Sequence, residues 1–192
     1  MALEDIAAMR AVHGSTVLHP CDGNQTAKLV AAMAELDGIS YIRTLRPNTP
    51  VVYGPDDEFP IGGSRVLREG DDVTLVGCGI TVHEAMEAAE TLGADGVSAR
   101  VIDCYSLKPI DGETLAAAAE ETELIVTVED HWPEGGLGEA VLSALAERGV
   151  AARVTRLAVT DMPRSGKPDE LLGAYGIDAV AIANAARALV RA

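Results

Sequence analysis

VTLVGCGITVHEAMEAAETLGADGVSARVIDCY, residues 73–105, decides the fold. Its opening VTLVGCG runs apolar into a glycine turn, the build of a strand covered on both faces. Val82, Met86, Ala89 and Leu92 then recur at helical spacing up to Gly93, and Thr81 with Glu84 has the form of a capping box. ARVIDCY (99–105) is a strand again. Strands separated by helices of about ten to fifteen residues mean crossover connections and a mostly parallel sheet.

The same alternation extends downstream. Asp111 starts a short alanine-rich helix, and ELIVTVE (123–129) is a further strand, apolar enough to lie inside a sheet. Leu137, Val141, Leu142 and Leu145 mark the next helix face, closed by Gly149. A less regular strand over about 152–159 and two helices near 168–175 and 179–190 complete the chain. Residues 64–192 therefore read as a three-layer α/β domain with its own core. There is no internal repeat and no low-complexity segment.

Upstream, STVLH (15–19) and ISYIRTL (39–45) are short strands around one helix. Asp22 followed by Gln25 caps that helix, Leu29, Val30, Met33 and Leu36 form its apolar side, and Gly38 ends it. A helix carrying Leu3, Ile6 and Met9 precedes this βαβ unit. About 50 residues bury too little surface to stand comfortably alone. Residues 1–53 thus read as the partial α/β end of a larger domain, or as a unit that packs onto the rest of the chain. From Pro47 to Gly63 four prolines and three glycines, with GPDDEFPIGG at 54–63, describe an extended linker.

Thirty acidic against fifteen basic residues give a net charge of −15, a field that repels nucleic acid and anionic lipid. Solubility alone explains such a charge. A site for an anionic substrate would have to concentrate positive charge locally against it. No apolar run approaches 18 residues, so no membrane span is expected. MALEDIAAMR lacks the basic-then-apolar build of a signal peptide, which points to the cytoplasm. Cys21, Cys78 and Cys104 are widely spaced, as reduced thiols of a cytosolic protein would be.

Arg46 is the strongest candidate for chemistry. It follows the strand 39–45 at the edge where open α/β sheets collect ligands, and Pro47 forces the chain to leave the strand there. A guanidinium fork suits a phosphate, although a surface ion pair is the commoner role for such a residue. Arg43 lies on the other face of the strand and reads as structural. Gly77 and Gly79 resemble the start of a dinucleotide fingerprint, with Asp103 as a conceivable ribose acid, but Val82 stands where the third glycine belongs. Glu129, Asp130, His131 and Glu134 gather at a strand end without the spacing of a metal motif; His131 and Trp132 read as packing or interface groups. His83 reads as solvated. His13 and His19 flank a strand without a serine–acid pattern, and neither Ser15 nor Cys21 has an activating context.

HGSTVLHPCDGNQTAKLV (13–30), YIRTLRPNTPVVY (41–53), LKPID (107–111), VTVEDHWPEGGLGEAV (126–141) and PRSGKPDELLGAYGID (163–178), in that order, resemble the C-terminal third of a transketolase. The resemblance implies that residues 1–53 end the pyrimidine-binding domain of a thiamine-diphosphate enzyme, that 54–63 link, and that 64–192 are the transketolase C-terminal domain. That domain has one antiparallel edge strand, for which SRVLREG (64–70) is the candidate. The family moves a two-carbon ketol unit between sugar phosphates with thiamine diphosphate and Mg2+ or another divalent metal, as a homodimer. Arg46 alone matches a position used directly, for the phosphate end of the substrate. Asp22 keeps its reading as a helix cap. The chain contains no GDG segment of the kind that holds metal and diphosphate, and it opens downstream of the catalytic glutamate. The resemblance therefore implies a piece of an enzyme, inactive and without bound cofactor on its own, whose partners are the missing N-terminal part, a second copy and a sugar phosphate. Deoxyxylulose-phosphate synthase, a dehydrogenase E1 β subunit, or a non-catalytic dimerisation or effector-binding module are the alternatives on the same fold; RTLRPNTP and PRSGKPDELL favour transketolase.

Overall fold

The computed structural model describes residues 3–46 and 48–192, so the break expected at Pro47 lies outside the described residues. Two sheets organise the chain. The smaller has the order β2-β1-β6, from β1 (Thr16–Leu18), β2 (Ser40–Ile42) and β6 (Ser106–Lys108). β1 and β2 run parallel around helix α2 (Gly23–Ala34), whereas β6 is antiparallel to β1. β6 is too short to show a period and arrives from beyond the linker, so the small sheet is completed by sequence from the far side of it. α1 (Asp5–Ala11) precedes β1 and buries Ile6.

The larger sheet has the order β3-β5-β4-β7-β8, from β3 (Arg65–Arg68), β4 (Val73–Gly77), β5 (Ala99–Asp103), β7 (Leu124–Val128) and β8 (Arg153–Leu157). β3 is the antiparallel edge and the other four strands are parallel. Every residue of β4 and β5 is buried, because helices cover both faces. α3 (Ile80–Ala94) and α7 (Ala179–Val190) share one face through Ala85, Ala89, Leu92, Ile182 and Ala186. α4 (Gly112–Thr122) and α5 (Leu137–Arg148) cover the other through Leu115, Ala119, Val141 and Leu145. α6 (Pro168–Ala174) lies before α7. This is the three-layer α/β architecture with a mostly parallel sheet.

Local chemistry sets the helix starts, with some departures from the sequence reading. Asp22 and Asp111 accept from the N–H groups of Gln25 and Thr114, as N-caps do. Thr81 is not a cap: α3 begins after Gly79, and the Thr81 hydroxyl donates to the carbonyls of Cys78 and Val128 (2.9 and 2.8 Å). Glu84 instead accepts from Ala179 N (2.9 Å), adding negative charge at the start of α7. α2 ends at Ala34, four residues before Gly38, and Val30 faces solvent.

Residues 54–63 contain no helix or strand, yet they are packed. Phe59 stacks edge-on between Tyr53 and Tyr105, with ring centroids 4.7 and 5.5 Å apart. The Tyr105 hydroxyl donates to Pro60 O (2.9 Å), and these rings join Leu18, Leu29 and Val82 in a third core cluster. That cluster joins α2, the linker and the start of α3.

Candidate functional site

In the strand order β3-β5-β4-β7-β8 the chain leaves β4 towards β5 and leaves β7 towards β8 on the opposite side. Such a switch point opens a crevice at the C-terminal strand ends, the usual ligand position in open α/β sheets. Here the N-terminal unit fills much of it. The His19 ring takes the space in front of Gly79, whose φ of +57° suits only glycine. The dinucleotide reading fails on this geometry: Gly79 is required for the approach of His19. Asp103 is fully buried, accepting from Gln25 Nε2 and the Tyr53 hydroxyl, each at 2.7 Å. Desolvation pushes the Asp103 carboxyl up to about 6, against those hydrogen bonds.

The EDHWPEGG segment, after β7, also turns inward. Glu129 accepts from Leu137 N (2.6 Å) and Gly138 N (2.9 Å), closing the start of α5, and burial pushes its carboxyl up to about 7. A side chain at Gly136 would overlap that carboxylate, so the glycines allow a close helix–sheet approach. His131 Nε2 accepts from Ala7 N of α1 (3.3 Å), which leaves Nδ1 to donate to Trp132 O (2.7 Å). Trp132 N donates to Leu3 O (3.0 Å). His131 and Trp132 are thus interface groups within the chain. Among the described residues no three His, Cys, Asp or Glu side chains gather as a metal site would.

Arg43 and Arg46 occupy one loop and have different surroundings. Arg43 is buried; its Nη2 donates to Asp130 Oδ2 (3.1 Å) and to Asp130 O (3.0 Å), and its Nε stands 3.7 Å from Asp5 Oδ2. Arg46 is exposed, and among the described residues its side chain has neither a carboxylate partner nor a hydrogen bond. The surface ion pair that would explain it plainly is therefore missing from the described residues. The loop is held again at its far end, where Asp22 Oδ2 accepts from Val52 N (2.8 Å) and Tyr53 N (2.9 Å). Asp22 is both helix cap and loop anchor, a second role that no local spacing reveals.

A concavity of about 510 Å3, more apolar than polar in its lining, lies between this loop and the start of α2, where Asp22, Thr26 and Arg46 meet Ala27, Leu45 and Val51. It sits at the C-terminal ends of β1 and β2, where the start of α2 and the Arg46 guanidinium both favour an anion. The other residues singled out in the sequence do not join it as reactive groups. Burial raises the Cys21 thiol, which points to Asp103 (3.7 Å). Ser15 donates to Met9 O and Val12 O at the end of α1. His83 is half-buried rather than solvated, its Nε2 2.9 Å from Cys21 O, and His13 is exposed.

Residues 62–182 match the family model described as transketolase, C-terminal domain. The transketolase of Mus musculus is 47% identical over 194 residues, covering 99% of this chain and 31% of its own length. That of Homo sapiens is 46% identical with the same coverage. The chain thus spans about a third of the length of the curated relatives it matches. A solved structure described as a split gene transketolase, inactive beta4 tetramer, superposes with a TM-score of 0.93 at 41% identity, over 100% of this chain and 62% of that one.

Proposed function

The chain belongs to the transketolase family through its C-terminal domain, and from that premise we propose that it is the C-terminal part of an enzyme transferring a two-carbon ketol unit between sugar phosphates. In this reading Arg46 grips the phosphate end of the sugar. The observation that carries it is the exposed Arg46 guanidinium, without a partner among the described residues, on a loop pinned at Arg43 and Asp22 beside a concavity at two parallel strand ends. Relatives named transketolase align over nearly the whole chain, which supports ketol transfer over the acceptors used by deoxyxylulose-phosphate synthase or dehydrogenase E1 β subunits.

Thiamine diphosphate with a divalent metal would supply the carbanion chemistry of the whole enzyme. In this reading the chain's own part lies at the substrate phosphate and in assembly. Residues 1–53 would end a pyrimidine-binding domain and 64–192 form the platform, joined by 54–63. The partners in this reading are the remainder of the enzyme and a second copy, in the cytoplasm. The fold neighbour described as a tetramer supports self-association. Among the described residues no helix is long and apolar enough to cross a membrane.

The test is substrate selectivity in the complete enzyme. Arg46→Ala should raise KM for phosphorylated sugars far more than for unphosphorylated ones. Equal effects on both would remove Arg46 from the phosphate.

A further inference from the structure

On the side of Arg46 away from α2 runs a second groove, of about 360 Å3. It follows the C-terminal ends of the larger sheet: Ile80 comes after β4, Asp130 after β7 and Val159 after β8. Leu171, Leu172 and Ile177, from α6 and the turn beyond it, make the opposite apolar wall. The groove is therefore the part of the switch-point crevice that the N-terminal unit leaves open, and its size is at the small end of ligand sites.

Its charge is unusual for this chain. Arg43, Arg46 and Arg164 line it, against the single carboxylate of Asp130, in a protein whose net charge is −15. Arg164 is exposed, and among the described residues its side chain pairs with nothing, although its backbone N–H is fixed by donation to the Tyr175 hydroxyl (2.9 Å). Arg43 is 4% exposed, and its Nη1 has no hydrogen-bond partner among the described residues. The PRSGKP stretch singled out in the sequence supplies Pro163, Arg164, Gly166 and Pro168 to this wall.

We propose that the groove binds a small amphiphilic anion, an aromatic or branched aliphatic body carrying one carboxylate or phosphate. The body lies on Val159, Leu172 and Ile177, and the anionic head is held by the exposed Arg164 with Arg46, with the buried Arg43 adding its positive charge behind them. Inorganic phosphate has no use for the apolar walls, and a neutral hydrocarbon has no use for three arginines. The proposal does not depend on the ketol-transfer reading, since it needs only the groove and its charges.

The test is an NMR titration of the 192-residue chain with 4-phenylbutyrate, phenyl phosphate, the neutral 4-phenylbutyramide and inorganic phosphate. The aryl anions should saturate and shift the amides of Ile80, Val159 and Leu172, with the neutral amide and inorganic phosphate each weaker by about tenfold or more. Comparing the two aryl anions identifies which head group the site prefers. Arg164→Gln, an exposed change that leaves the core intact, should weaken both aryl anions by about tenfold. No saturation by ~20 mM, equal binding of the amide, equal binding of inorganic phosphate, or an unchanged affinity in Arg164→Gln would each overturn the proposal.

Discussion

The imidazole of His19 occupies the space into which a side chain on Gly79 would grow: an added Cβ would overlap Nε2 and Cε1. The contact joins the end of β1 to the start of α3, and with it the small sheet to the large one. Gly79→Ala should therefore destabilise the chain by about 2–4 kcal/mol, combining overpacking with a backbone conformation that alanine resists. Urea unfolding measures this. A double variant with His19→Ala should lose clearly less than the sum of the two single changes; strict additivity would show that the two residues do not meet.

Asp103 and His19 pull stability in opposite directions with pH. Burial raises the Asp103 carboxyl to about 6 in the folded state, so the folded chain holds its proton more tightly than the unfolded chain. Its contribution is full below the ordinary carboxylate value and is lost as pH rises through about 6. Burial, then Arg43 and His131, hold His19 well below its usual value, so its penalty grows as pH falls below about 6.5. Asp103→Asn should remove its share of the loss on raising pH from 4 to 7, an effect of up to about 3 kcal/mol, and leave the shares of Glu129 and Asp130, which burial also raises. His19→Phe should remove the part of the loss on acidification that His19 carries, leaving that of His131, which burial also lowers. Denaturation midpoints across that range read both slopes, and parallel wild-type and variant curves would contradict the assignment.

Arg46→Ala in the complete enzyme should raise KM for a phosphorylated acceptor by about ten- to a hundredfold, the worth of a charge-assisted hydrogen bond. An unphosphorylated sugar should change by less than about threefold. Arg46→Lys should recover only part of the loss, because an ammonium cannot make the two parallel bonds of a guanidinium.

The layered sheet was legible because β4, β5 and β7 are buried on both faces and so carry apolar runs that need no partner to be recognised. The caps at Asp22 and Asp111 are local chemistry and were equally readable. β3 came from family resemblance, since RVLR is half-exposed and has no clear period. β6 escaped notice because three residues before a proline carry no pattern. Thr81 looked like a cap because spacing cannot show that the backbone turn at Gly79 starts the helix first. Arg46 was singled out from a strand expected over 39–45, whereas β2 ends at Ile42 and Arg46 lies in the loop beyond it. What surrounds it was not legible, because Arg43 meets Asp130 across 87 positions and Gln25 meets Asp103 across 78. Long-range pairings of this kind leave no local trace.

Arg43 anchors the loop three residues before Arg46, and its removal separates stability from substrate contact. Arg43→Met keeps much of the side-chain volume but leaves Asp130 buried without its guanidinium, a loss of about 3–5 kcal/mol. Without Arg43 the Asp130 carboxyl, already pushed up to about 6 by burial, should rise further and take up a proton near neutrality. Adding Asp130→Leu to Arg43→Met should then restore much of the stability, because an apolar pair of similar volume often replaces a buried ion pair without loss. In the complete enzyme this double variant should fold yet still show a raised KM for phosphorylated sugars, because the loop bearing Arg46 has lost its inner anchor. If KM stays at the wild-type value while stability recovers, the Arg43–Asp130 pair serves the core alone and Arg46 is held by Asp22 and the segment at Val52.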